Sequence, residues 1–272
     1  MIRRVDNVRG RSCPVLLFAV SLVLCAGYAG AESPEEKGLA IAREAQRRDD
    51  GFGDTTSRMV MTLRNRHGDE SVRKIRIRTL EVPDDGDKTL IVFDNPRDVK
   101  GTALLTHSHK KGDDDQWLFL PALKRVKRIS SRNKSGSFMG SEFSYEDIAS
   151  QEVEKYTYRW IRDEVLDGLP CYVSERRPVD ARNSGYSRQV TWVDKAEYRV
   201  RRVEYFDRKN AHMKTLTFAN YKKFLDRYWR AHDLEMENLV TGKSTHLTFS
   251  DFRFRTGLRA ADFTKQALKR VR

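Results

Sequence analysis

The sequence predicts a mainly β fold, a curved antiparallel sheet with a few covering helices, on three observations. Apolar residues recur at every second position in run after run: Met59, Met61 and Leu63; Ile75 and Ile77; Tyr156, Tyr158 and Trp160; Leu216 and Phe218. Short turn signals separate the runs, at Arg66-His67-Gly68-Asp69, Asp84-Asp85-Gly86-Asp87, Lys111-Gly112-Asp113, Asp207-Arg208-Lys209-Asn210 and Thr241-Gly242-Lys243. No stretch between them carries the pattern of the crossover helix that a parallel sheet needs.

The chain begins with a basic leader, Arg3, Arg4, Arg9 and Arg11, then an apolar run from Val15 to Gly27, then Ala29-Gly30-Ala31. That order reads as a secretory signal peptide over residues 1–31, cleaved before Glu32. The apolar run is short of the roughly 20 residues a membrane span needs. Leu24 before Cys25 stands where a lipidation signal has a small residue. Residues 32–272 then form a single domain, long enough to bury a large core.

That domain opens on a helix. Ser33 is its N-cap, Pro34 suits the first turn, Glu36 completes a capping box, and Gly51 ends it. Leu39, Ala42 and Ala45 give a thin apolar stripe. From Thr56 the strands follow. Leu247 and Phe249 sit at odd positions, Phe252 and Phe254 at even ones, so a β-bulge is expected near Ser250-Asp251. A short C-terminal helix places Phe263, Ala267 and Val271 on one face, with Lys265, Lys269 and Arg270 near its end, where cations suit the macrodipole. So large a sheet under so few helices leaves an apolar concave face with room for a ligand.

The formal net charge is +13, and most of it stays with residues 32–272. On an exported protein this points to anionic lipid or an acidic partner. Nucleic acid is set aside: the charge is scattered over alternating strands instead of gathered on one face. Cys171 alone remains after cleavage, so it forms no internal bridge and reads as a small buried residue.

Catalytic signatures are missing: the chain has no Gly-x-Ser-x-Gly, no phosphate loop and no His-Glu-x-x-His. His107-Ser108-His109 has a ligand spacing, but without a third ligand at fixed spacing a pair of edge histidines is the simpler reading. No metal or cofactor is expected, nor enzymatic activity. Glu142, Glu146 and Asp147 favour a helical turn starting near Ser144, or balance nearby basic charge.

The stretch from Trp117 to Ile148 is the most unusual. Trp117-Leu118-Phe119-Leu120 is a buried strand ending at Pro121. Lys124, Arg125, Lys127 and Arg128 then surround Val126 and Ile129, so each strand face carries both charge and an aliphatic. A rim position accommodates this, with side-chain stems on apolar surface and charged heads in water; a charged edge that deters aggregation is the other reading. Arg132 and Lys134 lead into a serine- and glycine-rich loop ending in Phe138-Met139-Gly140.

Several residues here carry a family resemblance: Phe93, Pro96, Lys100-Gly101-Thr102, Trp117 to Pro121, Lys124-Arg125, Phe138-Met139-Gly140-Ser141 and Phe143-Ser144-Tyr145-Glu146-Asp147. This run resembles the LolA-like outer-membrane lipoprotein-sorting proteins, in the branch associated with RND-type (MMPL) exporters. The resemblance implies a half-open β-barrel with helices over its mouth, an apolar cavity for acyl chains and a periplasmic shuttle role. On that basis Met59, Met61, Leu63, Trp117, Phe119, Phe138, Phe143, Tyr156, Tyr158 and Trp160 are expected at a lipid cavity. Lys124, Arg125, Lys127, Arg128, Arg132 and Lys134 are expected to contact headgroups or a partner. The expected cargo is a lipid or lipoprotein and the expected partner an RND/MMPL-type exporter. A periplasmic accessory subunit that binds the exporter and carries nothing is the alternative; it requires a filled barrel.

Overall fold

The computed structural model describes residues 1–2 and 32–270; residues 3–31 of the predicted signal segment and residues 271–272 lie outside the described residues. The compact unit from Glu32 onward opens with α1 (Pro34–Asp49), followed by β1 (Asp54–Arg64), β2 (Glu70–Leu80), β3 (Lys88–Asn95), β4 (Ala103–His107), β5 (Asp115–Leu120) and β6 (Arg125–Ile129). A connection holding the short helix α2 (Tyr145–Ile148) leads to β7 (Tyr156–Leu166), β8 (Leu169–Pro178), β9 (Arg188–Asp194), β10 (Val200–Phe206) and β11 (His212–Ala219). Then come β12 (Lys222–Phe224), β13 (Tyr228–Arg230), β14 (Asp233–Asn238), β15 (Lys243–Phe254) and α3 (Lys265–Arg270).

Thirteen strands form one sheet in the order β6-β5-β4-β3-β2-β1-β15-β14-β11-β10-β9-β8-β7, and β12–β13 form a separate hairpin. The pairings are antiparallel throughout. The first meander runs outward from β1 to the edge strand β6. The second runs inward from the other edge, β7, until β15 pairs with β1. Residues 130–155 must therefore cross from one free edge to the other, and this crossing leaves the barrel half open.

Local signals shaped the elements as expected. Ser33 and Glu36 form a reciprocal capping box, and Pro34 is the first helical residue. The β15 bulge falls where the apolar face flips: the β1 pairing skips between Ser250 and Arg253, and Asp251 has φ 54. α1 lies on β7. A Cβ on Gly38 would come 2.7 Å from the Trp160 backbone nitrogen, so only glycine permits this approach.

Apolar residues are buried on both faces of the first meander. The inner face joins Met59, Met61, Ile75, Phe93, Leu104 and Leu118 to Leu216, Met236 and Leu247 of the second meander. The outer face of β3–β5 contributes Leu90, Val92, Leu105 and Trp117 to a second cluster, roofed by Phe263 and Leu268. The C-terminal stripe is thus Phe263 and Leu268, not Phe263 and Ala267; Leu268 is buried within α3 and Ala267 is only half-buried. Burying each such side chain contributes roughly 1.5–3 kcal/mol. Cys171 lies in a third cluster with Val173, Val190 and Trp192.

Candidate functional site

The inside of the curved sheet is filled in one part and hollow in another, and the 130–155 crossing divides the two. Phe138 is fully buried, its ring 5.8 Å from Phe93 and 5.6 Å edge-on to Tyr145. Its N–H donates to the Phe143 carbonyl at 2.7 Å, closing a tight loop through Met139 and Gly140, both at positive φ. The aromatics of this loop thus turn inward and form a plug.

Polar groups pin the plug from beneath. The Lys214 ammonium, from β11, donates to Asp147 Oδ2 at 2.6 Å and to the Glu142 carbonyl at 3.0 Å. Tyr186 donates its hydroxyl to Asp147 at 2.9 Å, and the Glu142 N–H donates to Thr245 Oγ1 at 3.0 Å. Asp147 also caps Ser144, so the helical turn expected there forms. Glu146 accepts from Ser184 Oγ and the Gly185 N–H. Burial raises its pKa, against the lowering effect of those two bonds. The carboxylates are therefore structural: Asp147 ties the plug to β11, Glu142 accepts from Asn238 on β14 at 2.6 Å, and Glu146 holds the β8–β9 loop. Where the sheet edges fail to meet, Lys155 pairs with Asp114, and Lys134 lies 3.8 Å from Asp180, linking the plug to the chain beyond β8.

Beyond the plug lies the hollow, in two lobes. The larger, about 620 Å³, is walled by Met59, Ile77, Ile91, Phe143, Val203, Leu216, Phe218, Leu247 and Phe249, and reaches Trp229 and Arg230 on β13. The smaller, about 560 Å³, lies between α1 and the inner face of β7–β10, with Ile41, Ala42, Tyr158, Ser174 and Val193 in its wall. Ala45, Phe52, Gln151, Arg176 and Thr191 line both lobes, which therefore adjoin. Its size falls in the range of ligand cavities, and its wall is mostly apolar, as such sites are.

The residues predicted from sequence are distributed over five places, the two lobes counted as one. Met59 and Phe143 line the larger lobe and Tyr158 the smaller. Met61 and Phe138 are fully buried in the plug core, and Leu63 packs against it. Trp117 and Phe119 are on the opposite face of β5, in the cluster under Phe263 and Leu268, so they do not wall the hollow. Period-two spacing places them together; it does not say which face is inside, because this strand buries both. Tyr156 lies at the seam between the sheet edges. Trp160 stacks under the Lys37 ammonium, 3.5 Å from its ring centre. Val203, Leu216, Phe218, Leu247 and Phe249 were missed as lining, although the alternation of their strands marks them as one face.

The basic residues lie on the edge. Lys124, Arg125 and Lys127 are exposed on or beside β6 and make no salt bridge among those found for the described residues. Arg128 is bound to Asp115 at 2.6 Å, Arg132 is exposed and Lys134 faces Asp180. Val126 packs toward the outer cluster and Ile129 toward the inner one, which explains why an aliphatic falls on each face. His107 donates from Nε2 to the Phe263 carbonyl at 2.7 Å, and His109 Nδ1 meets Asp85 at 2.6 Å. No group of three metal-ligating side chains occurs among the described residues.

The sequence pattern of a family described as "-like: Uncharacterized protein" matches residues 85–270. None of the curated proteins compared with the chain matches it. Among solved structures, it is similar to a domain from Vibrio parahaemolyticus designated an outer membrane lipoprotein-sorting protein, at 59% identity and TM-score 0.85, over 86% of this chain and 99% of that one. It is also similar to a DUF1329 family protein from Desulfovibrio piger, at 34% identity and TM-score 0.82, over 87% and 99%. A LolA superfamily protein from Nitrosomonas europaea shares the fold, at 21% identity and TM-score 0.68, over 85% and 98%.

Proposed function

We propose that this chain, which belongs to the LolA-like (DUF1329) family of outer-membrane lipoprotein-sorting proteins, is a periplasmic carrier that shelters an acyl chain of a lipid or lipoprotein. The observation that carries this reading is the hollow: an apolar space of about 620 Å³ that the sheet surrounds and the plug leaves open. Each methylene moved from water into it contributes about 0.8 kcal/mol, so a partly buried chain binds without catalytic machinery. No helix among the described residues is long and apolar enough to cross a membrane. Delivery to or from an RND-type exporter rests on the family resemblance, and the exposed Lys124, Arg125 and Lys127 are the contacts we assign to headgroups or that partner.

The alternative, an accessory subunit that carries nothing, requires a filled interior, whereas only the plug side is filled, and one substitution separates the two. Ala45 projects from α1 toward both lobes. Ala45→Trp is expected to weaken binding of a fluorescent acyl probe at least tenfold while leaving the circular dichroism spectrum unchanged. Absence of probe binding by the unaltered chain would favour the accessory role.

A further inference from the structure

The hollow is not apolar throughout. Ser174 on β8 and Thr191 on β9 are cross-strand partners on the inner face, and both line it. Their hydroxyls are buried without a hydrogen-bond partner in the protein, and Ser174 is only 6% exposed. A buried hydroxyl left unpaired costs stability and calls for an explanation. Two residues along β8, Arg176 turns the same way and lines both lobes. It donates from Nε to Gln189 Oε1 at 2.7 Å and from Nη2 to Gln151 Oε1 at 3.2 Å, and stacks on Tyr156 with 4.5 Å to the ring centre. Those acceptors are neutral. No carboxylate pairs with Arg176 among the described residues' salt bridges, although its neighbours Glu175 and Arg177 bind each other. Asp49, Asp50, Glu81, Asp85, Asp87 and Glu152, with Lys110, also border the smaller lobe, from α1 and from loops.

A guanidinium without a salt-bridge partner and two unpaired hydroxyl donors, side by side on the β8–β9 wall, form a complement to an anionic oxygen group. We propose that Arg176, Ser174 and Thr191 seat the negatively charged head of the acyl cargo, a carboxylate or a phosphate, while its chain occupies the larger lobe. This rests on the carrier reading and adds the class of head that the carrier selects.

Binding of three probes with a sixteen-carbon chain, measured by competition with a fluorescent acyl probe, tests it: palmitate, 1-palmitoyl lysophosphatidate and hexadecanol. The chain is expected to prefer at least one of the two anions over hexadecanol by tenfold or more, and which anion leads identifies the head. Arg176→Met is expected to cut that preference ratio at least tenfold, and Ser174→Ala with Thr191→Val to cut it several-fold. The ratio compares probes on one preparation, so a loss of folded protein does not mimic the effect. Equal binding of anions and alcohol by the unaltered chain would overturn the head site and leave the carrier standing. An unchanged ratio in both variants would likewise overturn it, the hydroxyls then serving only the wall. Binding of none of the three would overturn both proposals.

Discussion

Lys214 reaches into the barrel with its side chain 4% exposed, and its partner Asp147 is 3% exposed. Two charges out of water are tolerable only because each meets the other and further polar groups: Lys214 takes the Glu142 carbonyl, and Asp147 the Tyr186 hydroxyl. Lys214→Met would leave Asp147 charged and unpaired. It should cost about 3–5 kcal/mol in a urea unfolding titration; a loss under about 1 kcal/mol would mean that the pair does not hold the plug. Asp87 carries the second prediction. Burial raises its pKa to about 7, against the bond from the Val82 N–H and with help from the charges of Glu152, Glu81 and Asp49. In the folded chain the proton is kept from the ordinary value of 3.8 up to about 7, where the unfolded chain has lost it, so stability falls as pH rises through that window. Asp87→Asn should therefore be neutral near pH 3 and stabilising at pH 8 by about 1–3 kcal/mol in thermal unfolding, a figure that allows for partial solvent screening. A stabilisation that is the same at both pH values would remove the titration of Asp87 as its cause.

At the scale of elements, what could be read from sequence was what is decided locally. The Ser33–Glu36 capping box and the Ser250–Asp251 bulge depend on a few adjacent residues, and both formed as read. The inner face of β5 was not legible. Trp117 and Leu118 are both buried, one under Phe263 and the other in the plug core, and alternation carries no sign for which side is the inside. Nor did the sequence show that the loop after Lys134 folds inward; only the topology, with β6 and β7 at opposite edges, requires it to cross. Gly38 gave a weak signal, since a glycine inside a helix costs about 1 kcal/mol and asks for a packing reason. The reason is the β7 backbone beneath it. At this scale β6 is also an edge strand whose charges deter pairing with another sheet. Reversing Lys124, Arg125 and Lys127 to Glu together should slow transfer of a lipid cargo to acceptor vesicles several-fold at low salt, an effect that fades as salt rises. The unfolding midpoint should move by less than about 1 kcal/mol equivalent, because these exposed residues make no salt bridge among the described residues. Unchanged transfer at low salt would assign these residues to edge protection alone.

For the molecule as a whole, the decisive feature is a sheet that curls without closing, a plug that occupies part of its inside, and a hollow that remains. A filled interior would have left no room for a cargo; the two lobes beneath α1 and the β12–β13 hairpin leave the room that the carrier proposal requires. Mass spectrometry of the lipids extracted from the chain purified natively tests this most directly. The account predicts an acyl-bearing species at close to one molecule per chain, lost from Ala45→Trp purified in the same way. Recovery of no acyl species above that found with an unrelated protein, from both chains alike, would contradict it.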